Sequence, residues 1–247
     1  MTIIKHKPSI LSRNSRPSYN SDLFTFCPQS LGDTPTLTSV LEKQASDPTI
    51  SKRVFAIHPP PDYNHSSQYS NSNIVPTVET TYADFQCFVR ATAFKWYNLL
   101  RPYQSGSHTN ASNDNPVIAI LSDTGISLCI AIMAILKLNA TAFLLSPANS
   151  EAAITHLLES CNVSTLLYAN SHSDRAIAAS TRASVQAFPL EIVYIPRGTA
   201  SNVEIDGIPN VSLHPIPPVT PIILHSSGST SFPKPGKPFY FLYILTI

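Results

Sequence analysis

Residues 225–235 read H-S-S-G-S-T-S-F-P-K-P, a stretch in which small hydroxyl residues surround one glycine and a lysine follows. Consecutive backbone N–H groups around Gly228 can form a concave nest for an anion, and the hydroxyls of Ser226, Ser227, Ser229 and Thr230 add further donors. Lys234 supplies a mobile point charge suited to a polyphosphate. The chemistry offered by this order of residues is the gripping of phosphate oxygens. Its spacing is not the G-x-x-x-x-G-K-[ST] of the ordinary P-loop.

Plainer readings compete. By composition alone, a Ser/Thr/Gly/Pro run is a solvated loop. Residues 231–234 also satisfy the S-x-x-K pattern of serine acylases, but no S-D-N or K-T-G partner follows. His225 lies beside Ser226 and Ser227, yet sequence neighbours seldom form a dyad and the chain has no G-x-S-x-G elbow. A loop or pocket-wall role is expected for this histidine.

A strand must deliver such a loop, and Ile222-Ile223-Leu224 has the length and β-branching for one. Upstream, Val117 opens a continuous apolar run, V-I-A-I-L, that fits a strand buried on both faces. Ser122, Asp123 and Thr124 offer acceptors for the start of a helix over about 125–138, apolar nearly all round, with Lys137 where a cation suits the macrodipole. A strand at 142–145 follows. Asn149, Ser150 and Glu151 then cap a helix with Ile154, Leu157, Leu158 and Cys161 on one face. A strand at 165–169, a helix over 174–187 and a strand at 191–195 complete the alternation. This order predicts an α/β fold with a parallel sheet and flanking helices.

Nearer the N-terminus the pattern predicts a short helix over 38–45, a strand at 54–57, and a helix carrying Phe85, Phe88, Val89, Ala93, Trp96 and Leu100. Polar stretches at 59–73 and 104–115 read as loops, and residues 1–30 as a disordered extension. Val117 to Leu145 is mostly apolar, but the polar residues 122–125 split it below the ~20 residues a spanning helix needs.

With 43% hydrophobic residues in 247, the chain can build a sizeable core. A formal net charge of +1 leaves no basic surplus for a nucleic-acid backbone, so that partner is not expected. Cys27, Cys87, Cys129 and Cys161 form no C-x-x-C pair, and Cys129 and Cys161 are placed on apolar helical faces, so reduced thiols in a cytoplasmic protein are expected. The N-x-[ST] sequons at Asn64, Asn110, Asn139, Asn162 and Asn210 read as chance matches.

The segment L-H-S-S-G-S-T-S-F-P-K-P at 224–235 resembles the T-S-G-S-T-G-x-P-K signature of adenylate-forming (AMP-dependent synthetase/ligase) enzymes, in the L-H-T-S-G-S-T-G-x-P-K-P form of the fungal NRPS-like and carboxylate-reductase-like branch. Thr81-Tyr82-Ala83-Asp84 is similar to that family's helix start. Residues 117–137 resemble its strand and helix ending in K-x-G/N. L-L-S-P-A-N-S at 144–150 resembles its L-x-S-P-R-N-S segment. Two residues depart from the pattern: Ser231 stands at the second loop glycine, and Ala148 at the arginine.

The resemblance covers about 31–235 and implies the partial N-terminal subdomain of an enzyme that activates a carboxylic acid with ATP and passes the acyl-adenylate to a carrier-protein phosphopantetheine. It implies that Ser226, Ser227, Gly228, Ser229, Thr230 and Lys234 grip the β- and γ-phosphates, with Mg2+ offsetting their charge. No separate metal site and no catalytic residue are expected here, because the adenine, ribose and catalytic-lysine motifs lie beyond the loop in that family. A truncated fragment that does not catalyse alone is expected. A nucleotide- or acyl-binding regulatory module and a membrane-associated structural protein are the alternatives.

Residues 236–247 depart from the family, and from Phe239 they form an uncharged β-prone run too short to span a bilayer. The Gly236-Lys237 pair can be encoded by GGTAAG or GGTAAA, each containing an intron-donor sequence, so a retained intron is expected. Sequencing the transcript and the DNA downstream of the Pro235 codon tests this. Adenylation-domain sequence is expected to resume there, and its absence in every frame defeats the expectation.

Overall fold

The computed structural model of the chain describes residues 36–60, 75–104, 116–195, 211, 222–226 and 232–236. The extension expected at 1–30, most of the two polar loops and the apolar tail from 239 lie outside them. So do Cys27 and the sequon asparagines Asn64, Asn110 and Asn210.

Helix α1 (Leu37–Ser46) is followed by strands β1 (Val54–His58) and β2 (Val78–Thr81), which pair antiparallel as a separate two-stranded sheet. Helix α2 (Tyr82–Gln104) starts directly after β2 because residues 81–84 build a reciprocal cap. Asp84 N–H donates to Thr81 Oγ1 at 3.2 Å, and Thr81 N–H donates to Asp84 Oδ2 at 3.1 Å, so two of the helix end's free donors are satisfied. The T-Y-A-D motif is, physically, this capping box.

The main sheet follows: β3 (Val117–Leu121), α3 (Ile126–Lys137), β4 (Thr141–Leu145), α4 (Glu151–Ser160), β5 (Thr165–Tyr168), α5 (Ser173–Ala183), β6 (Gln186–Pro189) and β7 (Ile222–Ile223). All five strands are parallel, in the order β6-β5-β3-β4-β7. Period-two alternation sends Ile118 and Ile120 of β3 into one core, with α1, α2 and α3, and Ala119 and Leu121 into the other, with α4 and α5. The crossover through α3 steps from β3 toward β4. Those through α4 and α5 step the opposite way, from β4 across β3 to β5 and on to β6, so right-handed crossovers place the two helix sets on opposite faces. The chain therefore has the α/β fold expected, with its strand C-termini gathered along one edge.

Several local expectations change. The sheet strand falls at Gln186–Pro189 rather than 191–195, and α5 ends at Ala183 rather than 187. Ser184 adopts a left-handed conformation, φ 57°, and Val185 N–H donates to Ser180 O at 2.9 Å, a helix stop that a Gly-free sequence conceals. Residues 191–195 lie along α2 instead. Val193 N–H donates to Thr92 Oγ1, Glu191 pairs with Lys95, and Tyr194 packs edge-on to Phe88.

The polar residues before α3 do not cap it: Gly125 is the N-cap and no side chain bonds the helix end. Lys137 closes the other end in the last turn and pairs with Glu42 of α1. Asn139 and Asn162 have φ of 56° and 48°, so these two sequon asparagines serve as left-handed residues just past helices α3 and α4. Among the described residues no helix is long and apolar enough to cross a membrane.

Cys87, Cys129 and Cys161 are free, and Cys129 is exposed rather than on a buried face. The buried face of α3 runs through Ile130, Ala131 and residues 133–136, which turns position 129 outward. Burial pushes the Cys161 thiol from 9.0 up to about 12. The folded state therefore keeps a proton that the unfolded chain releases above pH 9.0, so this group's contribution is intact below that pH and is lost as pH rises toward about 12. Of these three thiols, Cys129 should be marked first by labelling of the native chain mapped by peptide mass spectrometry, with Cys87 and Cys161 reacting only on denaturation. Cys161→Ala should flatten the alkaline fall in stability.

Candidate functional site

Strand β7 pairs with β4 over two residues, Ala142 with Ile222 and Phe143 with Ile223, and releases the chain at the C-terminal edge of the sheet. Residues 224–226 and 234–236 then face each other antiparallel. Ser226 N–H donates to Lys234 O at 2.9 Å, and Gly236 N–H donates to Leu224 O at 2.6 Å. Lys234 N–H donates to Ser226 Oγ at 3.0 Å. The hydroxyl loop thus has a closed neck. A Cβ on Gly236 would lie 3.0 Å from Leu224 O, tighter than ordinary contact, so any other residue would have to push the two stems slightly apart.

Of the residues expected to grip phosphate, Ser226 and Lys234 meet across this neck, both exposed. Ser227, Gly228, Ser229 and Thr230, with Ser231, lie outside the described residues. Pro233 is buried, and the exposed Phe232 ring rests on His156 of α4, 5.3 Å between centroids.

His225 lies in the neck itself and has defined partners. Its Nε2 accepts from Ser146 N–H at 3.0 Å and from Asn149 Nδ2 at 3.1 Å, and its Nδ1 donates to Ser226 O at 2.8 Å. Two donors aimed at Nε2 and an acceptor at Nδ1 select the neutral Nδ1–H tautomer. Its ring stands edge-on to Phe143.

The β4–α4 turn that supplies these donors is held from the other side. Arg175, in the first turn of α5, donates through Nη1 to Pro147 O at 2.7 Å and Asn149 O at 3.0 Å. Its Nη2 donates to His172 Nδ1 at 3.1 Å, and His172 Nε2 donates to Asp123 Oδ1 at 3.1 Å. Asp123 Oδ2 accepts from Ser171. Every member sits on a connection leaving a strand C-terminus, and the bonds join the exits of β5, β3, β4 and β7, four neighbours in the sheet.

Asp123 and His172 form a carboxylate–imidazole pair, but Arg175 fills the nitrogen a nucleophile would need. The pair is therefore built to position, not to abstract a proton. Sequence reasoning missed Asp123, Asn149, His172 and Arg175 because their pairings span up to 76 residues. Asp123 had read as a helix cap. The available signal was that each lies between the end of a strand and the first turn of the next helix.

Residues 108–235, just over half the chain, match the family model described as AMP-binding enzyme. No curated protein sequence matches the chain. Among solved structures it is similar to a long-chain-fatty-acid-CoA ligase (FadD1) from Archaeoglobus fulgidus, at 15% identity and TM-score 0.53 over 82% of this chain and 36% of that one. It is also similar to the Klebsiella oxytoca NpsA N-terminal subdomain, at 16% identity and TM-score 0.50 over 82% and 41%. The same subdomain in complex with 3-hydroxybenzoyl-AMSN gives TM-score 0.50 at 16% identity over 81% and 40%. The chain spans about two-fifths of the length of these structures, and at such identity they establish the shared fold.

Arg175→Met leaves two carbonyls and His172 Nδ1 without their common donor, so urea unfolding should register a loss of about 1–3 kcal/mol. Asp123→Ala should lose less, about 0.5 kcal/mol, because its side chain is 67% exposed.

Proposed function

The chain belongs to the AMP-binding enzyme family, and from that premise we propose that it forms the phosphate-gripping part of a site that activates a carboxylic acid with ATP. In that reaction a carboxylate oxygen attacks the α-phosphorus, the bond to the bridging oxygen of pyrophosphate breaks, and an acyl-adenylate remains for transfer to a carrier-protein phosphopantetheine thiol. The observation that carries the reading is the closed neck at the end of β7, which gathers Ser226 and Lys234 at the carboxyl edge of a parallel sheet. Ligands of open α/β sheets bind at that edge.

In this reading Ser226, Ser227, Gly228, Ser229, Thr230 and Lys234 hold the β- and γ-phosphates, and Mg2+ arrives on the nucleotide to offset their charge. The fungal NRPS-like branch is supported by L-L-S-P-A-N-S at 144–150 and by His225 before the hydroxyl run. The domain reading assigns 31–235 to the adenylation subdomain, and the free thiols of Cys87, Cys129 and Cys161 support a cytoplasmic setting.

Phosphate contacts without adenine or ribose contacts give weak affinity, so Mg·ATP should bind this chain no tighter than roughly 1 mM, about −4 kcal/mol. Tripolyphosphate should compete with it. Lys234→Ala should weaken binding by about threefold to fivefold, as befits one exposed, screened charge. Micromolar ATP binding abolished by that substitution would instead identify a nucleotide-binding module complete in itself. Tripolyphosphate that neither binds nor competes would overturn the loop assignment.

A further inference from the structure

Among the described residues, His225 hydrogen-bonds the loop neck to the neighbouring exit of the sheet, the β4–α4 turn. On one side its Nε2 takes both donors of the β4–α4 turn, Ser146 N–H and Asn149 Nδ2. On the other its Nδ1–H holds the carbonyl of Ser226, the first residue of the hydroxyl run. A trans peptide carries its N–H opposite its C=O, so fixing that carbonyl fixes the direction in which the backbone enters the loop. The turn is itself clamped by Arg175 on its Pro147 and Asn149 carbonyls, and Arg175 is oriented by His172 and, through it, Asp123.

From this arrangement we infer that His225 is a positioning residue for phosphate binding, which sets the entry peptide of the loop by reference to the β4–α4 turn. This rests on the reading of 226–234 as the phosphate loop. The role requires both ring nitrogens at once, an acceptor toward the turn and a donor toward Ser226. Asn149 then acts on phosphate only through His225. The carboxamide of glutamine reaches the place of Nε2 and that of asparagine the place of Nδ1, so each keeps one half of the relay.

The test uses the full chain and inorganic tripolyphosphate followed by phosphorus NMR. His225→Ala should weaken binding by roughly fivefold to tenfold, the effect of one hydrogen bond lost from an ordered site. Asn149→Ala should weaken it less, and His225→Ala with Asn149→Ala should be no weaker than His225→Ala alone. His225→Gln, which keeps the acceptor toward the turn and supplies a variant should alanine fail to fold, should bind as weakly as His225→Ala.

Long-range nitrogen NMR should find His225 as the Nδ1–H tautomer and His172 as the Nε2–H tautomer. Additive losses in the double variant, unchanged binding by His225→Gln, or a His225 proton on Nε2 would overturn the inference while leaving the loop assignment standing. No binding by the unmodified chain would overturn the assignment, and the inference with it.

Discussion

Burial of β3 on both faces is the constraint from which the rest of the architecture follows. Ile118 and Ile120 enter one core and Ala119 and Leu121 the other, so each face of this central strand needs its own layer of helices. Parallel neighbours on both sides, β4 and β5, satisfy its backbone. Parallel pairing demands crossovers, and their fixed hand allots α3 to one face and α4 and α5 to the other. The same pairing aligns every strand's exit at one edge. The loop neck, the β4–α4 turn and the start of α5 become neighbours for that reason, although they are far apart in sequence.

Hydrogen bonding then turns proximity into order. His172 and His225 occupy opposite tautomers, each set by its partners: Arg175 can only donate, so His172 accepts at Nδ1, whereas Ser226 O can only accept, so His225 donates there. A shared reversal would break both connections. The Asp123–His172 pair shows how far such geometry lies from nucleophile activation, because the imidazole face that would meet a hydroxyl is already committed to a guanidinium.

The sheet was legible because its signals are local. The V-I-A-I-L run, the Ser150 cap and the T-Y-A-D box each state their structure within a few residues. The N-terminal strand β2 was hidden, since V-E-T-T at Val78–Thr81 looks like the approach to a helix until β1 is there to pair with it. The end of α5 was misread because Ser184 takes the left-handed turn usually marked by glycine. The β-branched and aromatic run at 192–195 then imitated a strand while packing on α2. The loop was legible as a motif, through Ser226, Gly228 and Lys234, but its anchoring was not. Nothing in the sequence ties Asn149 to His225 or Arg175 to the carbonyl of Pro147, because those bonds exist only once the crossovers have formed.

Magnitudes separate what holds the domain together from what aims the loop. Each neutral hydrogen bond contributes about 0.5–1.5 kcal/mol net, and an isolated two-stranded hairpin is marginal in water. Among the described residues the neck consists of the stems around His225 and Pro235, and β7 adds two paired residues. Such a unit cannot define its own direction. Buried Pro233 and the Phe232–His156 contact restrain one stem against α4, while His225 restrains the other against the turn that begins α4. Both restraints refer the neck to α4, a helix locked into the second core by Ile154, Leu157 and Leu158. The orientation of the neck is therefore borrowed from the packing of that core, and the polar edge conveys it.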